Sequence, residues 1–158
     1  LPVPLLIKMA KEIETVKCFK IECAQAASKL RKLVVAGGDA IEGPFDGEEG
    51  ITLFADLEAG ATGNMSSAMI PDLIKPVVLD YLAGEIDKSE DEYNNILPII
   101  NYENRQCGFR ATKVIMKEGS VINSDFCRHP ISPLEEQTKG GLIKLVKKYD
   151  PIALSWGK

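Results

Sequence analysis

The sequence predicts an α/β fold in which a short parallel sheet is followed by a group of helices. Strand-like and helical segments alternate over the first 84 of 158 residues with short connections, which is typical of consecutive parallel βα units. Beyond residue 84 only helical segments follow. Three parallel strands leave two open edges, and a closed (β/α)₈ barrel typically needs about 250 residues. We therefore expect residues 1–84 to form the C-terminal half of a (β/α)₈ barrel and residues 85–158 a C-terminal helical extension.

The first three elements are predicted from changes in hydrophobic period. Leu5–Glu14 has apolar side chains at helical spacing behind two prolines, which suit the first turn of a helix. Val16–Cys23 alternates with a period of two and carries β-branched and aromatic residues, so it predicts a strand. Ala24–Ala36 is rich in Ala, Lys and Leu and stops at two glycines, as a helix commonly does.

Two further strand and helix pairs are expected after these glycines, since the same alternation continues with glycines closing each helix. In chain order, the predicted segments are a strand over Ala40–Gly43, a turn over Pro44–Gly47, a helix over Glu48–Ala59, a strand over Ala61–Ser67 and a helix over Pro71–Ala83.

The extension is expected to contain three helices, over Ser89–Arg105, Phe109–Lys117 and Leu134–Tyr149. Ser89 and Glu92 have the spacing of a capping box, in which each side chain bonds a free backbone N–H of the first turn. The first helix would thus begin at Ser89.

Composition excludes several classes of function. The net charge of -4, with no long run of Lys or Arg, argues against binding to nucleic acid. No apolar stretch approaches the roughly 18–20 residues that span a bilayer. Four cysteines without paired short spacings, with a single histidine, predict neither a disulfide framework nor a metal site. We expect a cytoplasmic protein with reduced thiols.

Lys20 is the first candidate catalytic residue, because it lies near the C-terminal end of the first predicted strand. By alternation it shares a face with Cys18 and Glu22, and in a closed barrel that face points toward the mouth where active sites lie. A lysine desolvated there has a lowered pKa and can form a Schiff base, with Glu22 holding substrate or moving a proton. The alternative is a surface lysine that forms an ion pair with Glu22.

Two further strand ends could supply the rest of a site. The segment from Gly43 to Glu48 joins a strand to a helix N-terminus, where backbone N–H groups can receive a carboxylate. Gly63–Ser67 follows the next strand and adds small hydroxyls. Each segment alone is most often only a tight βα turn, but together with Lys20 they offer an amine, amide donors and hydroxyls on one rim.

Several segments resemble a known superfamily. Phe19–Glu22 before a helix, Gly43 at a predicted strand end and Gly60–Ser66 resemble the dihydrodipicolinate synthase and N-acetylneuraminate lyase superfamily of (β/α)₈ enzymes, which act through a lysine Schiff base. Two wider segments, Gly38–Gly47 and Ile100–Arg110, are similar to its L-2-keto-3-deoxyarabonate dehydratase branch.

The resemblance implies particular roles for individual residues. Lys20 matches the Schiff-base lysine of the sixth barrel strand. After the seventh strand, Gly43 or Gly47 and the adjacent Glu48 are expected to bind substrate. On the eighth strand the backbone carbonyl of Met65 is expected to do so, together with Ser67 beyond it. Two family elements, a Thr/Ser-rich carboxylate loop and a tyrosine of the fifth strand, would precede Leu1, so we expect the chain to begin within a longer protein.

The resemblance also implies an activity. It indicates a hydro-lyase that converts L-2-keto-3-deoxyarabonate, a small keto acid, to 2-oxoglutarate semialdehyde without metal or organic cofactor, in a homotetramer. A retro-aldolase that releases pyruvate from the same imine, and a catalytically incomplete half-barrel, are the alternatives. Apolar residues of the extension are expected to contribute to subunit contacts, namely Ile96, Leu97, Ile99 and Ile100.

Overall fold

A three-stranded parallel sheet forms one layer of the computed structural model, which describes residues 1–158. The strands β1 (Cys18–Ile21), β2 (Gly43–Asp46) and β3 (Gly63–Asn64) lie side by side in the order of the sequence. The predicted α/β class with a parallel sheet is confirmed. The seven helices are α1 (Val3–Glu12), α2 (Ala26–Gly37), α3 (Leu53–Glu58), α4 (Pro71–Ala83), α5 (Ile86–Tyr102), α6 (Arg110–Glu118) and α7 (Glu136–Val146).

The two faces of β1 have different surroundings. Phe19 and Ile21 are buried in the core beneath the helices, while Cys18 and Lys20 are exposed on the opposite face. This matches the predicted alternation, because successive strand side chains point to opposite faces. Phe45 of β2 pairs with Lys20 and therefore lies on the same open face.

The core is built between this sheet and the helices, and it continues into the extension. α2 packs against α1, α3 and the first two strands, α4 packs against β3 and α5, and α5 and α6 both contact α7. The fully buried side chains of largest volume include residues from both halves of the chain: Leu30, Leu33, Leu53, Met69, Ile70, Ile99, Ile100, Ile115 and Leu142.

The second strand differs from its prediction. It runs over Gly43–Asp46 instead of Ala40–Gly43, because Gly38–Ala40 forms a turn of 3₁₀ helix that delays the strand. Pro44, predicted as a turn residue, lies inside the strand. Its carbonyl accepts a hydrogen bond from the Thr62 N–H at 2.9 Å, so the missing N–H of proline does not prevent pairing on that side.

The third helix and third strand are shorter than predicted. Glu49 (φ 51°) and Gly50 (φ 88°) are in the left-handed region, so the chain turns after β2 and α3 begins only at Leu53. β3 holds two residues where seven were predicted over Ala61–Ser67.

Helix boundaries marked by proline and glycine are confirmed most closely. α4 begins at Pro71 and closes at Gly84, whose φ of 87° lies in the left-handed region that glycine adopts readily.

The predicted capping box at Ser89 is wrong, since α5 already begins at Ile86 and Ser89 is buried within that helix. The Ser89 hydroxyl donates to the Val77 carbonyl at 2.7 Å and so ties α5 to α4.

The extension packs its apolar residues inward. Ile96, Ile99 and Ile100 are buried within this chain, so they are not the free surface for subunit contacts that the sequence suggested. α5 continues into a π-helical turn over Glu103–Cys107 before α6. No helix combines the length and hydropathy needed to cross a membrane. The division of the chain at residue 84 stays a prediction.

Gly119, which follows α6, provides a test of this packing. An added Cβ would lie 1.8 Å from the Ala153 carbonyl oxygen, which belongs to the backbone and cannot simply rotate away. We expect Gly119→Ala to lower the free energy of unfolding by about 1–3 kcal/mol, the range for overpacking a buried site. Thermal or urea unfolding measures this.

The matched control is Gly140→Ala in α7, where an added Cβ would meet nothing within 4 Å. Alanine favours helix over glycine, so this variant should be stabilised by up to about 1 kcal/mol. Equal effects of the two substitutions would contradict the packing of the C-terminal segment against α6.

Candidate functional site

Lys20 and Glu22 form the centre of the candidate site at the C-terminal end of β1. Their Nζ and Oε2 atoms are 2.7 Å apart, with 39% of the lysine side chain and 55% of the glutamate side chain exposed. The hydrogen bond to Glu22 raises the pKa of Lys20, and the charges of Glu49 and Asp46 add to this. Burial acts to lower this pKa, as expected from the sequence, but the hydrogen bond to Glu22 outweighs it, so the net lowering is not found in this structure.

Gly47 forms a wall beside this lysine. Its N–H donates to the Ile21 carbonyl at 2.9 Å, which brings the turn after β2 against the end of β1. An added Cβ would lie 2.8 Å from both Lys20 Cγ and the Ile21 carbonyl oxygen. A larger residue would push the lysine side chain aside, so glycine is required by close approach.

Gly43 does not lie at this end of the sheet. It begins β2, opposite Cys18, and an added Cβ there would lie 2.9 Å from Cys18 Sγ. The prediction that Gly43 ends its strand is wrong, because β2 starts where that strand was expected to stop. Gly47 is the glycine that contacts Lys20.

Asp46, the last residue of β2, is hydrogen-bonded both to the turn that follows β2 and to the end of β3. It is fully buried. Its Oδ1 accepts from the Glu48 N–H at 3.0 Å, its Oδ2 accepts from the Asn64 side-chain amide, and its main-chain carbonyl accepts from the Met65 N–H at 2.9 Å. Asp46 was not among the residues predicted from the sequence to form the site, although an Asp two residues before a backbone donor is a turn signal.

A second buried carboxyl, that of Asp56 in α3, lies behind Asp46. Its Oδ2 accepts from the Thr52 hydroxyl at 2.8 Å, while its Oδ1 has no partner. Burial raises the pKa of Asp56 to about 6, and the nearby negative charge of Asp46 contributes in the same direction. Asp56 can therefore hold a proton at mildly acidic pH.

The remaining predicted residues lie along the turn and beyond β3. Glu48 is half-buried in the turn, and the Met65 side chain is 42% exposed. Ser67 is half-buried and lines a cavity of about 380 Å³ with Glu49 and Glu103. Sequence reasoning missed both glutamates as candidates.

Glu49 lines this cavity and also interacts electrostatically with Lys20. Burial raises its pKa, the charge of Glu22 adds to the rise, and the charge of Lys20 opposes it. The rim thus combines one ammonium group with carboxylates able to take up a proton. No three His, Cys, Asp or Glu side chains converge in an arrangement suited to a metal ion.

Comparison with protein families gives a match over residues 5–149 to the dihydrodipicolinate synthetase family. The chain belongs to this family. The match covers all three strands, including β1 with Lys20, and most of the helical extension. The resemblance on which the sequence analysis relied is confirmed.

Among curated proteins, the L-2-keto-3-deoxyarabonate dehydratase of Azospirillum brasilense is 49% identical to this chain over 156 residues. The alignment covers 99% of this chain and 50% of that protein. The chain therefore spans about half the length of the curated relative it matches.

Solved structures of the family have the same fold over a similar span. Dihydrodipicolinate synthase from Rhodopseudomonas palustris superposes with a TM-score of 0.78 at 22% identity, and that from Aquifex aeolicus with 0.82 at 18% identity. Each comparison covers 94% of this chain and 50% of the other.

Asp56 predicts a specific pH dependence of stability in this family member. The folded chain holds the Asp56 proton up to about pH 6, whereas the unfolded carboxyl loses it near its ordinary value of 3.8. Between these values the folded state binds more protons, so the free energy of unfolding falls as pH rises through this window. Asp56→Asn should remove most of that fall, as measured by urea unfolding from pH 4 to 7.

Asp39→Asn is the control, since it removes one carboxylate from an exposed position. It should leave the slope between pH 4 and 6 unchanged. An Asp56→Asn protein that retains the full slope would contradict the assignment to this carboxyl.

Proposed function

We propose that this chain supplies strands six to eight of a (β/α)₈ barrel, together with its helical extension, and carries the Schiff-base lysine of a hydro-lyase. The boundary at residue 84 is part of this proposal. The substrate is L-2-keto-3-deoxyarabonate, and the product is 2-oxoglutarate semialdehyde. The main support is Lys20 at the C-terminal end of β1, with Glu22 2.7 Å away, in a chain 49% identical to a dehydratase of that name.

Lys20 acts as the nucleophile in the proposed reaction. Its neutral amine attacks the C2 ketone and, with loss of water, forms an imine whose positive charge makes the C3 proton acidic. The open face leaves Lys20 charged and paired in this structure. Covering that face with the remaining strands would remove water from the lysine and favour the neutral amine.

Glu22 is the proposed proton carrier. Its carboxylate can accept the proton that Lys20 must lose, and it lies where a proton released near the imine could be collected. Loss of the C3 proton leaves an enamine that expels the C4 hydroxyl, which departs as water with one proton. The unsaturated imine then loses a C5 proton to form an enol, which takes up protons at C4 and C3 as C5 becomes the aldehyde, and hydrolysis of the imine releases the product and the lysine amine. The protonated imine itself accepts the electrons, so the proposal includes no metal or organic cofactor.

The substrate-binding surface is assigned to the turn after β2 and the residues after β3. Gly47 packs against Lys20, and Asp46 holds the backbone of both neighbouring segments: its carboxylate accepts from the Glu48 N–H and its main-chain carbonyl accepts from the Met65 N–H. The backbone carbonyl of Met65 and the hydroxyl of Ser67 are the remaining proposed contacts.

The proposed full-length protein is a cytoplasmic homotetramer. Leu79 and Leu82 on α4 are each more than half exposed, which favours an apolar contact between copies over a fully solvated face. Ile96, Ile99 and Ile100 of α5 do not contribute, since they are buried.

Trapping the imine tests the function. Incubation of the full-length protein with pyruvate and borohydride should attach one reduced adduct irreversibly at Lys20, because only an imine is reduced to a stable amine. Peptide mass spectrometry locates the adduct. Lys20→Ala should abolish both the adduct and turnover, with little effect on folding because the side chain is exposed.

Lys17→Ala is the matched control, since Lys17 precedes the same strand and should leave trapping intact. An adduct at Lys17 or Lys29 with Lys20 unmodified would overturn the assignment. Pyruvate instead of semialdehyde as the product of the keto acid would support a retro-aldolase and contradict dehydration.

Glu22→Gln separates proton transfer from ion pairing. The amide keeps the size of the side chain but cannot take up a proton, so we expect kcat to fall by about 10²–10⁴-fold while borohydride trapping at Lys20 persists. Steady-state kinetics and trapping on the same variant measure the two effects.

Glu12→Gln provides the control, because Glu12 forms an exposed ion pair with Lys8 at 3.9 Å that has no place in the site. Loss of such a pair changes stability by at most about 1 kcal/mol and should leave kcat unchanged. A Glu22→Gln enzyme with normal kcat would remove Glu22 from the mechanism.

A further inference from the structure

Tyr93 of α5 reaches from the helical extension to the turn that follows β2. Its hydroxyl donates to the carbonyls of Ile51 and Gly50 at 2.6 and 3.1 Å. Only 8% of the residue is exposed. Burial raises the pKa of Tyr93 to about 12, and the charges of Asp46 and Asp56 act in the same direction. The hydroxyl therefore keeps its proton and remains a donor.

The backbone of this turn needs support because two successive residues are left-handed. Glu49 has a φ of 51° and Gly50 a φ of 88°, and this conformation costs free energy for glutamate. Such a residue persists only where the surrounding structure holds it. Gly50 is also closely packed, since an added Cβ would lie 3.2 Å from Ile74 Cδ1 and 3.5 Å from Ile100 Cδ1. The carbonyls that Tyr93 binds belong to Gly50 and to the residue after it.

An aromatic cluster holds the ring of Tyr93 in turn. The Phe54 ring of α3 stacks on it, with ring centroids 6.2 Å apart and an angle of 21° between the planes. Phe54 also contacts Tyr81 of α4 edge to face, with centroids 5.5 Å apart. Rings from three helices thus pack together, and this packing fixes the direction of the Tyr93 hydroxyl.

The turn carries residues that face Lys20. The Gly47 backbone lies against the lysine side chain, where an added Cβ would be 2.8 Å from Lys20 Cγ. The charges of Glu49 and Lys20 act on each other, and the other carboxylates near the ammonium group are Glu22, at 2.7 Å, and Asp46. A positive charge on this nitrogen, as ammonium or as protonated imine, is therefore stabilised by a carboxylate whose place depends on the turn.

We propose that Tyr93 is a positioning residue, whose hydroxyl holds the turn after β2 so that Glu49 stays beside the Lys20 amine as the imine forms. This inference rests on the proposed function and adds to it a residue of the helical extension that acts through the turn. Without the hydroxyl, Glu49 can leave the left-handed conformation and its charge moves away from Lys20. The protonated imine then loses stabilisation, and the lysine gives up its proton at lower pH.

The pH dependence of imine formation in the full-length protein tests the inference. In Tyr93→Phe, the maximal rate of borohydride trapping of pyruvate at Lys20 should fall by roughly tenfold, since a remote substitution that misplaces reacting groups has effects of this order. The pH of the half-maximal trapping rate should move down by about half a unit, because a negative charge has left the ammonium group. A smaller fraction of folded enzyme would lower the rate at every pH without moving this midpoint.

Tyr102→Phe is the matched control, because it makes the same substitution on the same helix. The Tyr102 hydroxyl donates to the Thr138 carbonyl of α7 at 3.2 Å and so supports α7 instead of the turn. Ser89→Ala removes a fully buried hydroxyl of α5, which donates to the Val77 carbonyl. Both variants should lose stability to urea, but their trapping rates should stay within about twofold of wild type and their midpoints should not move.

Glu49→Gln tests whether Tyr93 acts through this carboxylate. It removes the charge without releasing the turn, so it should lower the midpoint by about the same half unit. Adding Tyr93→Phe to this variant should shift the midpoint no further, since the charge that the turn holds in place is already gone.

The possible outcomes separate this inference from the proposed function. A Tyr93→Phe protein with the wild-type midpoint, an equal shift in Tyr102→Phe, or a further shift in the double variant would overturn the positioning role and leave Lys20 as the nucleophile. Failure of the wild-type protein to trap pyruvate would overturn both. A midpoint shift confined to Tyr93→Phe and Glu49→Gln, and not additive between them, would support the inference.

Discussion

The buried carboxylate of Asp46 is the group on which the geometry of the site depends. It accepts hydrogen bonds from the turn that follows its own strand and from the side chain of Asn64 on the next strand, while its carbonyl continues the ladder to Met65. Hydrogen bonds to an ionised acceptor are stronger than those between neutral groups, and burial strengthens them further. A short sheet, in which β3 pairs through only two residues, thereby acquires a defined rim.

That rim determines the surroundings of Lys20. Once the turn after β2 is held, the Gly47 N–H reaches the Ile21 carbonyl, and the missing side chain of glycine leaves space for the lysine. Tyr93 supports the same turn from the extension, since its hydroxyl donates to the carbonyls of Ile51 and Gly50 at 2.6 and 3.1 Å. The helical extension is therefore part of the structure that positions the strand ends, and not a separate appendage to them.

The electrostatics of the rim follow from burial and proximity together. Lys20 is the ammonium group around which Glu22, Glu49 and Asp46 are arranged, and their charges hold its proton in place while the face is open to water. Burial raises the pKa of Glu49, and the charges of Glu22 and Asp46 add to the rise, so this carboxyl holds its proton more strongly than an exposed glutamate does. The balance between ammonium and neutral amine then depends on how much water reaches the lysine.

Local sequence pattern was enough to predict the fold class, the face of β1 and the helix ends marked by proline and glycine, because hydrophobic period and backbone restriction act over a few neighbouring residues. It also directed attention to Lys20 and Glu22, whose two-residue spacing brings them to one face. Tertiary structure decided the register of β2, the burial of Asp46 and Asp56, and the meeting of Glu103 with Ser67 across 36 positions of sequence. These features depend on which segments pack together, and burial converts an ordinary carboxylate into a structural or chemical group only when distant residues remove it from water.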